Sequence, residues 1–272
     1  MTRAIRLLPW SAEPADRELA TSLALLAGVE ETGQPAMRWY EIAPPALVLG
    51  SGQHLSDVNV AVCAAMGVPV VKRSSGGGAV FTGVSLSLDV ALPPDDPLDS
   101  HDITESYRWL GETWVAALAS LGIAARLVSV AEARADTRSL SPLLKRVCYA
   151  GLSPYEVAVG TRKVVGLAQR RRRQGALLQG GVYLHWPSEE TAALVGITNQ
   201  EQSALAEELP RRVAGLDELR TNGAPSMAAL QTAFEAALRE RAGVVPSPTE
   251  WAATERDARD AAVAQYAPLQ AG

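Results

Sequence analysis

Between residues 16 and 27 the apolar positions Leu19, Leu23 and Leu26 recur at helical spacing, which predicts an amphipathic helix. Two short apolar runs, 37–42 and 46–49, are parted by Pro44 and Pro45; proline cannot continue a strand ladder, so they read as separate strands. Gly50, Ser51 and Gly52 make a loop, and a short helix over 58–66 stops at Gly67 and feeds a strand over 68–72. Residues 83–92 (GVSLSLDVAL) set Val84, Leu86, Leu88 and Val90 against Ser85, Ser87 and Asp89, the alternation of a half-buried strand. Asp102 with Glu105 resembles a capping box, and Leu110, Trp114, Leu118 and Leu121 predict a helix ending at Gly122, with a strand over 124–128 to follow.

Residues 131–147 carry mixed charge without a clean period and read as a mobile loop leading into Cys148. Tyr155, Val157 and Val159 then alternate with Glu156 and Ala158, Gly160 and Thr161 turn the chain, and Val164 and Val165 open the return strand of a hairpin. A second turn falls at 170–174, with a cluster of arginines at its tip. Met227, Leu230, Phe234 and Leu238 mark a helix from Ser226, and a charged, alanine-rich helix over 250–265 follows. Pro246 and Pro248 separate the two.

With 272 residues and 47% apolar content the chain has material for a substantial core. A net charge of −5 argues against nucleic acid as a partner, since neutralising phosphates needs a basic field. No apolar run approaches the roughly 20 residues that span a bilayer, and the first residues turn polar too soon for a secretory signal, so a cytoplasmic protein without a membrane partner is expected. Cys63 and Cys148 form no close-spaced pair, and His54, His101 and His185 lack the spacing of a zinc site; neither a disulfide nor a metal is expected. Cys63 reads as a core thiol.

Three segments carry candidate chemistry. In Arg73-Ser74-Ser75-Gly76-Gly77-Gly78-Ala79-Val80-Phe81, three glycines without side chains let a ligand approach their amides, and Arg73 adds a positive charge. By position alone a flexible hairpin turn reads as well. Lys163 opens a strand whose small residues Gly166 and Ala168 leave room on the sheet, although a solvated lysine has the same spacing. Cys148 follows Lys145 and Arg146, cations that would favour its thiolate; a buried, inert thiol is the alternative.

Together these segments resemble the lipoate-protein ligase and octanoyltransferase family, whose catalytic fold is shared with biotin-protein ligase. Residues 72–81 resemble its RRxxGGGxVF signature, 162–169 its lysine followed by Gly-x-Ala, and 39–53 its strand and loop ending in Gly-x-x-Gln, here Gln53. The stretch from Cys148 to Val157 (CYAGLSPYEV) is similar to the cysteine-bearing segment of the octanoyltransferase branch. The resemblance implies an α+β fold, a mixed or antiparallel sheet core with flanking helices. It also implies one catalytic domain over 1–272, with a core of about 15–200 and a helical extension over about 201–272. A monomer is expected.

The resemblance further implies that Cys148 and Lys163 are catalytic, and that Arg73, Ser75, Gly76, Gly77, Gly78, Ala79, Val80, Gly166, Ala168 and Gln53 bind the acyl substrate. A thioester on Cys148 would pass octanoate or lipoate to a lysine of a carrier, with no cofactor. The donor would be an acyl-carrier protein, and the acceptor a glycine cleavage carrier protein or the lipoyl domain of a 2-oxoacid dehydrogenase. The ligase branch would use ATP and magnesium through an acyl-adenylate instead. Arg170, Arg171, Arg172 and Arg173 read as a solvated turn or as a docking patch for an acidic carrier. Two departures from the family stand out: its histidine and aspartate after the glycine loop are Thr82 and Gly83, and its Gln-His-Gly is Gln179-Gly180-Gly181. They leave open a divergent ligase, another acyl chain, or a carrier-binding protein without turnover.

Overall fold

A computed structural model describes residues 2–83 and 85–270; Val84, the first apolar position of the alternating strand, lies outside them. Two strands unforeseen in the sequence, β1 (Arg3–Leu7) and β2 (Ser11–Glu13), precede helix α1 (Ala15–Thr32), which ends on Gly33 at φ +64. Strands β3 (Ala36–Ile42) and β4 (Leu47–Leu49) follow as expected. Helix α2 (Val60–Ala65) is capped by the Asn59 side chain and leads to β5 (Val70–Lys72). Beyond the triple glycine come β6 (Val80–Phe81), β7 (Ser85–Leu92), helix α3 (Arg108–Ser120) and β8 (Arg126–Leu127).

The segment expected to be a mobile loop is instead largely helical. In α4 (Val130–Ser139) Ser129 accepts from the Glu132 amide as N-cap, and the apolar residues beyond it, Leu140, Leu144 and Val147, are buried. Its mixed charges sit mostly on the outside, which hid the period. Strand β9 (Val157–Val159) begins two residues later than the alternation suggested, because Tyr155 turns the chain at φ +63. It pairs with β10 (Arg162–Arg172), and β10 with β11 (Gly175–Tyr183). Helices α5 (Ser188–Val195), α6 (Asn199–Arg212) and α7 (Met227–Ala242), strand β12 (Val244–Pro248) and helix α8 (Ala253–Ala262) complete the chain. The prolines thought only to separate two helices lie in a strand. They fit because β12 is an edge, parallel to β1, where a missing N–H breaks no inner ladder.

Among the described residues nine strands make the main sheet, in the order β12-β1-β3-β7-β11-β10-β9-β8, with β2 beside β3. It is parallel from β12 to β3 and antiparallel from β3 to β8. A smaller sheet, β5-β4-β6, carries the glycine loop between its outer strands. The architecture is thus α+β with a mixed sheet and flanking helices.

One face of the main sheet packs on α3 and α7, where Trp39, Trp114 and Phe234 meet with ring centroids 4.9–5.9 Å apart. The other face lies under α1, against which α8 packs. Residues 226–266 are therefore built into both layers and do not hang from the core.

That second layer changes the reading of β7. Its polar side is not solvated: Asp89 is 0% exposed and accepts from Arg38 Nε at 2.8 Å and from Ser22 of α1 at 2.7 Å. Arg38, also fully buried, bonds in addition to the Glu18 carboxylate, and Gln179 donates to Asp89 at 2.8 Å. A buried guanidinium needs such partners, because an unpaired charge in the interior is strongly destabilising. Arg38→Leu leaves two buried carboxylates facing each other without a cation. It is expected to cost about 3–5 kcal/mol in chemical denaturation, and a loss under 1 kcal/mol would show that the network is dispensable.

Candidate active site

The site forms where the β5–β6 loop meets the segment leading into Cys148. Ala79 N donates to Arg146 O at 2.6 Å and Cys148 N donates to Ala79 O at 2.9 Å, a short parallel bridge between Ala79 and Val147. Gly78 lies so close that a Cβ there would stand 2.7 Å from Lys145 O, Arg146 O and Cys148 N. Gly77, at φ +93, faces the thiol, and a Cβ on it would meet Cys148 Sγ at 3.4 Å. Gly76 has open space around it. The three glycines thus do different things: one permits backbone contact, one gives a left-handed turn beside sulfur, one stays free.

Arg73 ties this loop together. Its guanidinium donates to Val48 O, Gly76 O, Gly78 O and the Ser75 hydroxyl at 2.7–3.1 Å, and Nη2 lies 3.8 Å from Cys148 Sγ. Gln53, expected to touch substrate, bridges the chain: it accepts from Gly50 N at 3.0 Å and donates to Arg146 O at 3.1 Å. Val80 pairs with Val48 in the small sheet.

From the other side comes Lys163. The solvated alternative is excluded, for the side chain is 1% exposed; Nζ lies 2.8 Å from Glu156 Oε2 and donates to Cys148 O at 3.1 Å. Glu156 also accepts from the Ser153 and Leu167 amides at 2.7 and 3.2 Å. Burial pushes the Glu156 carboxyl up, and Lys163 pulls it back down. Glu156 is a site residue that the motifs do not single out, although the hairpin pattern carries a signal for it. Alternation puts Glu156 and Ala158 on one face, and Lys163 pairs with Ala158 across the hairpin.

The cations adjacent in sequence do not serve the thiol. Arg146 turns to Glu201 at 3.0 Å, and Lys145 is exposed. Gly166 leaves room as expected, but Tyr149 takes it: Cβ atoms on Gly166 and Gly181 would meet its phenol at 3.0 and 2.9 Å. The Tyr149 hydroxyl donates to Gly181 O at 2.6 Å, and the ring packs with Tyr183 and Trp186 at 4.9 and 5.6 Å between centroids. Burial holds both tyrosines well above the usual phenol range. Ala168 lies two residues on from Gly166 along β10, half-buried.

Packing accounts for Thr82 and Gly180 among the departures from the family pattern. Thr82 is buried, and its hydroxyl accepts from Ala46 N and donates to Ala46 O. Gly180 lies under α3, where a Cβ would stand 2.9 Å from Trp114 Nε1, so a larger residue has no place. The arginine cluster divides. β10 runs on through Arg172, Arg171 is held by Asp99 at 2.7 and 3.0 Å, and Arg172 and Arg173 are exposed. At about 3.3 Å per residue, Arg172 is roughly 30 Å along the strand from Lys163.

The arrangement is that of the lipoate-protein ligase fold. An archaeal two-part lipoate protein ligase from Thermoplasma acidophilum, solved in work that also covers its E2 lipoyl domain, superposes with a TM-score of 0.78 at 18% identity, over 96% of this chain and 92% of that one. A lipoate-protein ligase A bound with ATP gives 0.77 at 18% identity, over 97% and 95%. Residues 14–239 match the lipoyl protein ligase A/B catalytic domain, and the chain belongs to that family. Among curated relatives, octanoyltransferase LipM of Exiguobacterium sibiricum is 32% identical over 66% of this chain and 64% of its own length. LipM of Kyrpidia tusciae is 28% identical over 85% and 84%. Against the LipM of a second Exiguobacterium strain, 37% identical, the match spans about half of that protein, 53% of its length.

The glycine geometry makes a test within one loop. Gly78→Ala is expected to cost about 1–3 kcal/mol, as overpacking does, whereas Gly76→Ala should stay within about 0.5 kcal/mol, as a surface change does. Equal denaturation midpoints for the two variants would contradict the close approach.

Proposed function

We propose that this chain is an octanoyltransferase, carrying the acyl group as a thioester on Cys148 before passing it to a lysine of a lipoyl carrier domain. The observation that carries this reading is the placement of Cys148. Its half-buried sulfur lies beside Gly77 and Arg73, on a segment braced by Ala79, Gln53 and Lys163. A thiol so held can take an acyl group from a donor thioester, and transfer onward to an amine runs downhill from thioester to amide, so neither ATP nor a metal is called for. The LipM relatives are named for octanoyl transfer, which supports the same reading.

The donor in this proposal is an octanoyl carrier protein. The acceptor is a glycine cleavage carrier protein or the lipoyl domain of a 2-oxoacid dehydrogenase. The acyl chain would lie against the wall made by Gly166 and Ala168, with the Tyr149 ring displaced from Gly166. Arg172 and Arg173 are exposed at the hairpin end and would meet an acidic carrier, Arg173 with Glu30 only loosely beside it at 3.9 Å; Arg171 is occupied by Asp99.

Mass spectrometry of a lipoyl carrier after incubation tests the function: octanoyl-carrier donor alone should add one octanoyl group. Modification only with ATP and free acid would make the chain a ligase, and none with either donor a carrier-binding protein. Cys148→Ala is expected to lower transfer by at least about 100-fold, as loss of a covalent nucleophile does; full transfer by that variant would end the cysteine route. Reversing Arg172 and Arg173 to Glu should raise KM for the carrier several-fold and leave a small octanoyl thioester unaffected. An unchanged carrier KM would remove the docking patch.

A further inference from the structure

In the arginine cluster at the end of β10, Arg171 has Asp99 at 2.7 Å and Arg173 has Glu30 at 3.9 Å. Among the described residues neither Arg170 nor Arg172 meets a carboxylate within ion-pair distance. Arg170 is half-buried, and its Nη1 is shut off from solvent without a hydrogen-bond partner. A buried donor left unbonded costs free energy, so an oxygen that reaches it is bound with advantage.

The strand register fixes the face on which Arg170 stands. Gln179, paired with Ala168, reaches Asp89 under α1, and Tyr149 rests on Gly166 and Gly181. Gly166, Ala168, Arg170 and Arg172 therefore share the α1 face of the sheet, by the alternation of a strand. The C-terminal segment borders the outer end of this row. Tyr266 is buried against Leu19 and Leu23 of α1, and Leu269 N donates to Val70 O, on the edge of the small sheet, at 2.7 Å. Leu23 and Arg172 also border one recess of about 290 Å³. Burial raises the Tyr266 phenol, against the pull of Ser74 and Arg172, the polar groups that reach its hydroxyl. Ser74 belongs to the glycine loop, so the tail spans from that loop to β10.

We propose that Arg170, with Arg172, Ser74 and Tyr266 around it, forms a subsite for the phosphate of a phosphopantetheine thioester, the form in which an acyl carrier presents its cargo. This rests on the chain taking octanoate from such a thioester. Gly166 lies under Tyr149, the neighbour of Cys148 in sequence. From Gly166 to Arg170 the strand runs about 13 Å, the order of distance by which an extended pantetheine arm separates thioester from phosphate. Across the sheet from Gly166 the registered residues are Gly181 and then Ser87, so an acyl chain has room over the strands while the arm lies along β10. A guanidinium suits the ligand because its fork of donors matches phosphate oxygens, and the two hydroxyls add neutral donors. Glu30, the carboxylate bordering the recess, leans to Arg173. Tyr266 lies beyond residues 14–239, which match the family domain, so the subsite is completed by a part of the chain outside it.

The test reads binding and needs no acyl transfer. Phosphopantetheine and pantetheine, which differ by the phosphate alone, are titrated into the full-length protein by calorimetry, with thermal melting to confirm that variants fold. The wild type should bind phosphopantetheine at least about tenfold more tightly, as a charge-assisted hydrogen bond implies. Arg170→Gln should bring the two affinities within about twofold of each other, and Tyr266→Phe should lower the preference several-fold. Equal affinities in the wild type overturn the proposal, a result that stands even if no variant folds. So does a folded Arg170→Gln that keeps the full preference. Octanoyl-carrier and octanoyl-coenzyme A carry the same phosphate linkage, and a comparison of the two donors assigns its source. Arg170→Gln should lower kcat/KM for the donor that is used, and an unchanged kcat/KM for both also overturns the proposal. Failure of octanoyl transfer in the wild type, with the phosphate preference kept, would instead count against the acyltransferase reading.

Discussion

The backbone contact between Gly78 and the segment 145–148 is the constraint on which the site depends. Two chains can bridge at Ala79 and Val147 only where no side chain stands between them, and a Cβ at Gly78 would fall 2.7 Å from three backbone atoms. Gly50 adds a second such crossing, since its Cβ would meet Gly77 O at 1.9 Å. The glycine loop is therefore first a means of seating a cysteine, and only then a surface for a ligand. That order explains why Arg73 and Gln53, placed by family resemblance among substrate contacts, spend most of their hydrogen bonds on the protein's own carbonyls.

Seating the cysteine requires both sheets. The small sheet brings the loop, the main sheet brings Lys163 and Glu156 on the β9–β10 hairpin, and the Tyr183 hydroxyl joins them by donating to Phe81 O. Between the two lies the aromatic group of Tyr149, Tyr183 and Trp186, in the core that also buries Leu140, Leu144 and Val147. The stretch that lacked a legible period is thus the part of the chain that delivers Cys148.

Buried charge follows a consistent rule through the molecule. Arg38 is neutralised by Glu18 and Asp89, Arg6 by Glu255 through two bonds of 2.9 Å, and Lys163 by Glu156. Each pair fastens a helix or hairpin to the main sheet, because an unpaired charge inside would cost more than the packing returns. Arg73 is only half-buried, and its guanidinium is held by three carbonyls and a hydroxyl instead of a carboxylate.

Local pattern was enough to determine the strands around the glycine loop, the helices ending at Gly122 and starting at Ser226, and the two hairpins after Cys148. In each of these the hydrophobic period and the turn residues act over a few neighbouring positions. The glycines, Lys163 and Cys148 were legible as candidates for the same reason. Their partners were not. Whether the polar side of β7 meets water or α1, whether Pro246 lies in a linker or an edge strand, and which cation stands over the thiol depend on residues 50 to 250 positions away. Cys148 has Lys145 and Arg146 beside it in the chain, yet Arg73 reaches its sulfur, because side-chain direction and the crossing of two backbones are settled only when the sheets pack together.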